Sequence, residues 1–256
     1  TSTYSWNQGI QQDPRYSSRY NVKWAPAMIQ YGVDYEGFGF VLSPGVINIG
    51  QQHDVVNTVG GQKGLRKAKL TYLHAPVFLK IHIIDLSFFK VSFIAGGSID
   101  FLLNGSENIE IDANTKLWFP DEVYPLFPPT YQIEYDGVIV PATNEALLTQ
   151  NDFNKLQFFA LTGLRGDWDV SENMRVSVDF QLNYGITEPR QSSYVNAVNQ
   201  YQKLFELPGK QRDMFALISV GVARYLDVEP TKSTKKSPGK VFHKKNSRVR
   251  TSKPKG

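Results

Sequence analysis

Hydrophobic and polar positions alternate without a break along residues 174–184. Met174, Val176, Val178, Phe180, Leu182 and Tyr184 hold the even positions, and Arg175, Ser177, Asp179, Gln181 and Asn183 the odd ones. Successive side chains of a strand point to opposite faces, so the pattern predicts a strand with one oily and one strongly polar face. The same period returns along 90–103, where Val91, Phe93, Ala95, Gly97, Ile99 and Phe101 oppose Lys90, Ser92, Gly96, Ser98 and Asp100. Along 70–83, Leu73, Ala75, Val77, Leu79, Ile81 and Ile83 oppose His74, Lys80 and His82. Runs of this length match the roughly 9–11 residues with which a tilted strand crosses a bilayer.

Strands are predicted at 22–33, 38–50, 67–83, 90–103, 156–166, 172–184 and 214–226, with an eighth at 2–10. Tight connections (Asp34-Tyr35-Glu36-Gly37, Asp85-Leu86-Ser87 and Asp167-Trp168-Asp169) alternate with long ones at 51–64, 104–154 and 185–213. Outer-membrane barrels carry short turns on one rim and long extracellular loops on the other, whereas compact soluble domains rarely hold such excursions. The expected fold is therefore all-β: an eight-stranded antiparallel up-and-down transmembrane β-barrel over 1–228, with 104–154 as its longest extracellular loop. A disordered basic tail follows over 229–256, on the periplasmic side.

Eight strands leave an interior just wide enough for side chains. Lys80, Lys90, Asp100, Arg165, Arg175 and Asp179, with Asp167, are expected to pair there as a polar plug, because an unpaired buried charge costs several kcal/mol. A soluble lipocalin-like ligand binder has the same alternation with its faces exchanged. Strand length, loop asymmetry and aromatics near strand ends, among them Tyr31, Tyr35, Phe38, Phe88, Phe89, Trp168 and Tyr184, favour the membrane.

Composition narrows the chemistry. The absence of cysteine removes disulfides, thiolate metal sites and cysteine nucleophiles. No apolar run approaches the roughly 18–20 residues of a membrane helix. The chain opens at Thr1 without a leader pattern, so export is expected to follow removal of a signal peptide. The net charge of +4 conceals a split: residues 231–256 hold ten Lys/Arg and no acid, which leaves −6 on the rest. Lys235, Lys236, Lys240, Lys244, Lys245, Arg248 and Arg250 are the expected partner contacts of this tail. An acidic protein subunit, peptidoglycan or anionic lipid would suit them, nucleic acid is not expected, and a merely solubilising role fits equally well.

Four histidines are candidates for catalysis, namely His53, His74, His82 and His243. His74 and His82 lie about 26 Å apart at ~3.3 Å per strand residue, too far to share a metal. His53 with a nearby Ser is the pair that a rim-acting, lipid A-modifying enzyme would require. The spacing selects no Ser partner, so the chain is expected not to be an enzyme, and no cofactor is expected. Within 104–154, Trp118, Phe119, Tyr124, Phe127 and Tyr131 stand among prolines. They fit an anchor for a protein partner or a self-packed cap over the barrel.

Several segments resemble the PorT-like outer-membrane β-barrel family of Bacteroidota. Tyr72-Leu73-His74-Ala75-Pro76-Val77-Phe78-Leu79-Lys80 is similar to its YLEIPLLLKY strand, and 93–103 to its GPYLGYLL strand. Leu161-Thr162-Gly163-Leu164-Arg165-Gly166 sits at its Gly-rich strand, and Asn183-Tyr184-Gly185-Ile186-Thr187 resembles the end of RYNYGLTNI. His74 replaces the family's acid, and the chain continues past the last strand. The resemblance implies an eight-stranded barrel and says little about activity, since the family hosts diverse, mostly non-enzymatic roles. The chain is expected to be an accessory or scaffold subunit of a larger envelope machine, in protein secretion or gliding if the resemblance extends to role, or in outer-membrane protein assembly. Its expected partners are other outer-membrane or periplasmic subunits and outer-membrane lipid.

Overall fold

The computed structural model describes residues 2–7, 10, 12–19, 22–24, 28–86 and 88–225. The chain divides into a unit Thr1–Tyr225 and a unit Leu226–Gly256. The second unit, with the expected contacts Lys235, Lys236, Lys240, Lys244, Lys245, Arg248 and Arg250, lies outside the described residues.

The first unit is built from antiparallel strands: β1 (Ser2–Asn7), β2 (Tyr16–Arg19), β3 (Val22–Trp24), β4 (Tyr31–Asp34), β5 (Phe38–Leu42), β6 (Gly45–Val56), β7 (Gln62–Leu86) and β8 (Phe89–Ile111). There follow β9 (Thr115–Leu117), β10 (Gln132–Glu134), β11 (Gly137–Val140), β12 (Thr143–Leu148), β13 (Leu156–Ser171), β14 (Met174–Gly185), the helix α1 (Ser192–Asn199) and β15 (Asp213–Arg224). No described helix is long and apolar enough to cross a membrane.

The large sheet runs β2-β6-β7-β8-β13-β14-β15-β1-β3, with the β4–β5 hairpin added on β7 and β12 on β8. β1, expected as a strand, pairs with both β15 and β3. The ends of the path, β2 and β3, are consecutive strands in the chain, and among the described residues the ladder is open between them. The sheet curls on itself. Arg175 of β14 bonds Asp34 of β4, and the ring of Phe215 on β15 meets His74 of β7 edge-on at 5.9 Å, although neither strand pair shares a ladder.

The enclosed face is the polar one. Along β14, Ser177, Asp179 and Gln181 are each 1% exposed, while Phe180 is 43% exposed. Soluble barrels bury the opposite set, so the lipocalin-like arrangement is excluded by burial. An aqueous exterior would leave Val77, Ile81, Ile99, Phe101, Leu164, Phe180, Leu182, Val220 and Val222 facing water in one continuous band.

β7 spans 25 residues and β8 spans 23, about twice what a bilayer needs. Their outward rows show where the band ends. On β7, Leu73, Ala75, Val77, Leu79, Ile81 and Ile83 give way upward to Thr71, Lys69 and Lys67. On β8 a bulge inserts Leu103 between the pairs Tyr72–Leu102 and Thr71–Asn104, so that Leu103 and Asn104 both face outward. Below it Phe93, Ile99, Phe101 and Leu103 point outward, and above it Asn104, Ser106, Asn108 and Glu110 do.

Segments 51–56, 62–64 and 104–111, expected as loops, are therefore strand. Their outward side chains turn polar outside the apolar band, and the bulge interrupts the period, so their sequence resembles a loop. The rest of 104–154 is also structured, holding β12 on β8 and a separate β10-β11-β9 sheet. Two apolar clusters fill this end. Ile47, Leu70, Tyr72, Phe159 and Phe215 meet Leu148, Phe153, Tyr194 and Val198 descending from the loops. Above them, Tyr16, Val55, Ile109, Leu117, Phe119, Val138 and Phe205 form a second core.

Candidate functional site

The tight turns set the lower end of the interior. Gly37, at φ +84°, lets the chain reverse between Asp34 and Phe38, which returns Asp34 over the buried face. Lys80 Nζ lies 2.5 Å from Asp34 Oδ1 and 3.3 Å from Asp167 Oδ2. Arg165 Nε donates to Asp167 at 2.8 Å, and its Nη1 to Asp179 at 3.2 Å. Arg175 bonds Asp34 and reaches Asp169 at 2.8 Å. Ser177 donates to Asp167 at 2.6 Å, and Ser219 to Asp179 at 3.1 Å. Arg165, Asp167 and Asp179 are buried, so this lattice satisfies charges that would be prohibitive alone.

Six of the seven expected interior residues thus face inward. Lys80, Arg165, Asp167, Arg175 and Asp179 join the lattice, whereas Asp100 lies higher, bonded to His74 Nδ1 at 2.8 Å with both residues fully buried. Lys90 is the correction. It pairs at the turn with half-exposed Asp85 at 3.2 Å, because the short β7–β8 link brings position 90 to the rim. Asp34 and Asp169 were missed because both read as turn residues. An apolar layer of Val41, Phe78, Ile94 and Leu161 separates the lattice from His74.

The loop end holds a second buried charge cluster. Arg66 bonds Glu107, and Glu206 at 2.5 Å, and donates to the Phe205 carbonyl at 3.1 Å. Arg15 grips Asp13 at 2.6 Å and donates to the Leu204 carbonyl at 2.8 Å, while its guanidinium lies 5.1 Å from the Phe119 ring. Arg190 reaches Glu188 at 2.8 Å and Glu206 at 3.5 Å. Burial, with Glu107 across the same guanidinium, raises the Glu206 carboxyl against the pull of Arg66 and Arg190. Arg66 lies in phase with Leu70 and Tyr72 on β7, so the inward period could have revealed it; nothing in the sequence marks Arg15 or Glu206.

His53, the base that a rim-acting enzyme would require, is buried on β6 between Ser18 and Gln51. Ser18 Oγ lies 3.4 Å from its Nδ1, and Gln51 Oε1 lies 3.2 Å from its Nε2. Burial and the Arg66 charge lower its pKa to about 4. The ring is therefore neutral but too weakly basic to draw a proton from serine near pH 7. Among the described residues no group of His, Asp and Glu is arranged to hold a metal ion.

The loop aromatics pack mainly on one another. Phe119 meets Phe127 at 5.0 Å, and Phe127 stacks on Tyr131 at 5.3 Å and meets Tyr124 at 5.5 Å. Phe119 is 1% exposed and faces the upper core, a correction to its expected place among partner contacts. Trp118 points outward, as do Leu126, Ile133 and Tyr135 near it in the chain.

No curated protein and no solved structure matches the chain. Residues 2–188 match the model of the outer membrane protein beta-barrel domain. That match covers most of the sequence and agrees with a curled antiparallel sheet whose apolar rows face outward, and the chain belongs to this family of outer-membrane β-barrel proteins.

Proposed function

We propose that this protein is a non-enzymatic, eight-stranded outer-membrane barrel serving as an accessory or scaffold subunit of a multi-protein envelope machine. The count takes β2, β3 and β4 as one interrupted strand and β5 with β6 as another, beside β1, β7, β8, β13, β14 and β15. The observation that carries the reading is the filled interior. The ionic lattice around Asp167, the apolar layer at Phe78, and the loop residues Leu148, Phe153, Tyr194 and Val198 succeed one another along the axis of β7. A barrel packed in this way favours support and recognition over passage.

The PorT-like resemblance favours a setting in the secretion or gliding machinery of Bacteroidota, with outer-membrane protein assembly second. Partners outside the cell would meet Trp118 and the exposed Leu126 and Tyr135, and periplasmic partners would meet the basic tail. The test is purification from detergent-extracted outer membranes of the full chain and of a chain lacking 229–256. Stoichiometric envelope subunits with the full chain, reduced by the deletion while heat-modifiable mobility persists, are expected. A barrel that purifies alone from native membranes would remove the scaffold role.

One contact favours a second reading, the 3.4 Å approach of Ser18 Oγ to His53 in a lipid-modifying enzyme. Mass spectra of lipid A from cells with the wild-type chain or Ser18→Ala decide it. Identical spectra are expected, and a species present only with the wild type would establish the enzyme.

A further inference from the structure

We propose that the outward face of β6 and β7, directly above the apolar band, binds the phosphorylated headgroup of an outer-leaflet lipid through Lys23, Lys67 and Lys69. The inference rests on the membrane reading above, with the long-loop end outside the cell.

The ladder β6-β7-β8 lays out the outward face in rows. The last apolar row is Val46, Leu73 and Phe101, and the next is neutral and polar, with Asn48, Thr71 and Asn104. Then come Gly50, Lys69 and Ser106, and after them Gln52, Lys67 and Asn108. Acids enter only in the following row, where Asp54 and Glu110 flank Leu65. Asp54 is already engaged by Arg19 at 3.2 Å. Rows are about 6.6 Å apart along the strand, and strand tilt shortens their height above the bilayer. The lysines therefore stand at and just above the interfacial layer, which is about 5–8 Å deep on each side, and their stems can lower the ammonium groups toward it.

Lys23 completes the group from a different strand. A Cβ on Gly50 would meet Lys23 Cε at 2.8 Å and Nζ at 3.5 Å, so the glycine leaves room for this lysine to lie across the sheet beside Lys69. Among the described residues none of the three lysines has an ion-pair partner, whereas the buried cations Lys80, Arg66, Arg165 and Arg175 are each paired. Three unpaired ammonium groups in two rows, with neutral donors (Thr71, Asn104, Ser106 and Asn108) on neighbouring strands, complement a headgroup carrying phosphates and hydroxyls. A neutral zwitterionic headgroup would not use this excess of positive charge.

The experiment uses the full chain in phosphatidylcholine nanodiscs containing diphosphoryl lipid A or its dephosphorylated form, with retained lipid counted by native mass spectrometry. Retention of the diphosphoryl form alone is expected. A lysine near an anionic surface contributes about fivefold in affinity, so K23Q/K67Q/K69Q should weaken retention on the order of a hundredfold, while K63Q, farther along β7, should not. Equal retention of both lipids, or an unaffected triple variant, would overturn the site. Competition by millimolar inorganic phosphate would show a free-anion site and overturn the lipid assignment. Failure of the chain to enter nanodiscs would overturn the membrane reading itself and this proposal with it.

Discussion

The guanidinium of Arg175 on β14 is bonded to the carboxylate of Asp34 on β4, across an interior that no ladder spans. This contact ties the short β4–β5 hairpin to the far wall. A double-mutant cycle of Asp34→Asn and Arg175→Gln, followed by the midpoint of urea unfolding in lipid, should give a coupling of about 1 kcal/mol or more. Additive effects would mean that the hairpin is held by its own ladder alone.

Asp167 accepts from Arg165 and Ser177 and lies near Lys80, with no exposure of its own. Asp167→Ala leaves buried cations without an anion and should cost about 3–5 kcal/mol, visible as a lower temperature for the heat-dependent gel shift. Lys90→Gln, at the rim, should change it by less than about 0.5 kcal/mol.

Val220 is 69% exposed in the apolar band. Val220→Arg should destabilise the lipid-embedded protein by about 2–4 kcal/mol near the midplane, whereas a water-exposed strand would absorb the change. Refolding yields into lipid vesicles at graded urea give the comparison.

His53 faces Arg66, Glu107 and Asp54, and its pKa is lowered to about 4. The unfolded chain therefore binds this proton more tightly than the folded one. The stabilising term is complete above the ordinary value near 6.5, falls as pH drops through that value, and levels off near 4, for a total of up to about 3 kcal/mol. Loop-end stability followed by protease resistance should fall over that interval in the wild type, and His53→Gln should flatten the fall.

Phe119 sits at 1% exposure in the upper core against Phe127 and Phe205. Phe119→Ala should cost about 3–5 kcal/mol locally. Proteolysis within 112–142 should accelerate while the gel shift of the barrel persists, and Trp118→Ala should leave both unchanged.

How much of this was legible in the sequence depends on where the contrast between faces survives. β14 could be read residue by residue because lipid outside and charge inside give it maximal contrast. The membrane halves of β7 and β8 were equally clear. The start of β7 before Lys67 and the upper half of β8 were not, since Gln62, Lys63, Asn108 and Glu110 face water there and the period fades. Parity brought Lys80, Arg165 and Asp179 to the interior, but it could not pair them, and it carried Lys90 inside where the turn places it at the rim. The union of Arg15, Arg66 and Arg190 around the 204–206 segment draws on residues far apart in the chain, which no local pattern encodes.

The bulge at Leu103 and Asn104 gives β8 one residue more than its faces require. Deleting Leu103 would bring the two halves of the strand into a single phase and leave every remaining side chain on its present side. The same deletion at Ser98 or Asn108 would turn one half inside out, because strand alternation has a period of two. The molecule therefore contains a slip joint at the water line, where a change of length is neutral to both the membrane wall and the superstructure it carries. Length variation in β8 should be tolerated at this single point and rejected along the rest of the strand.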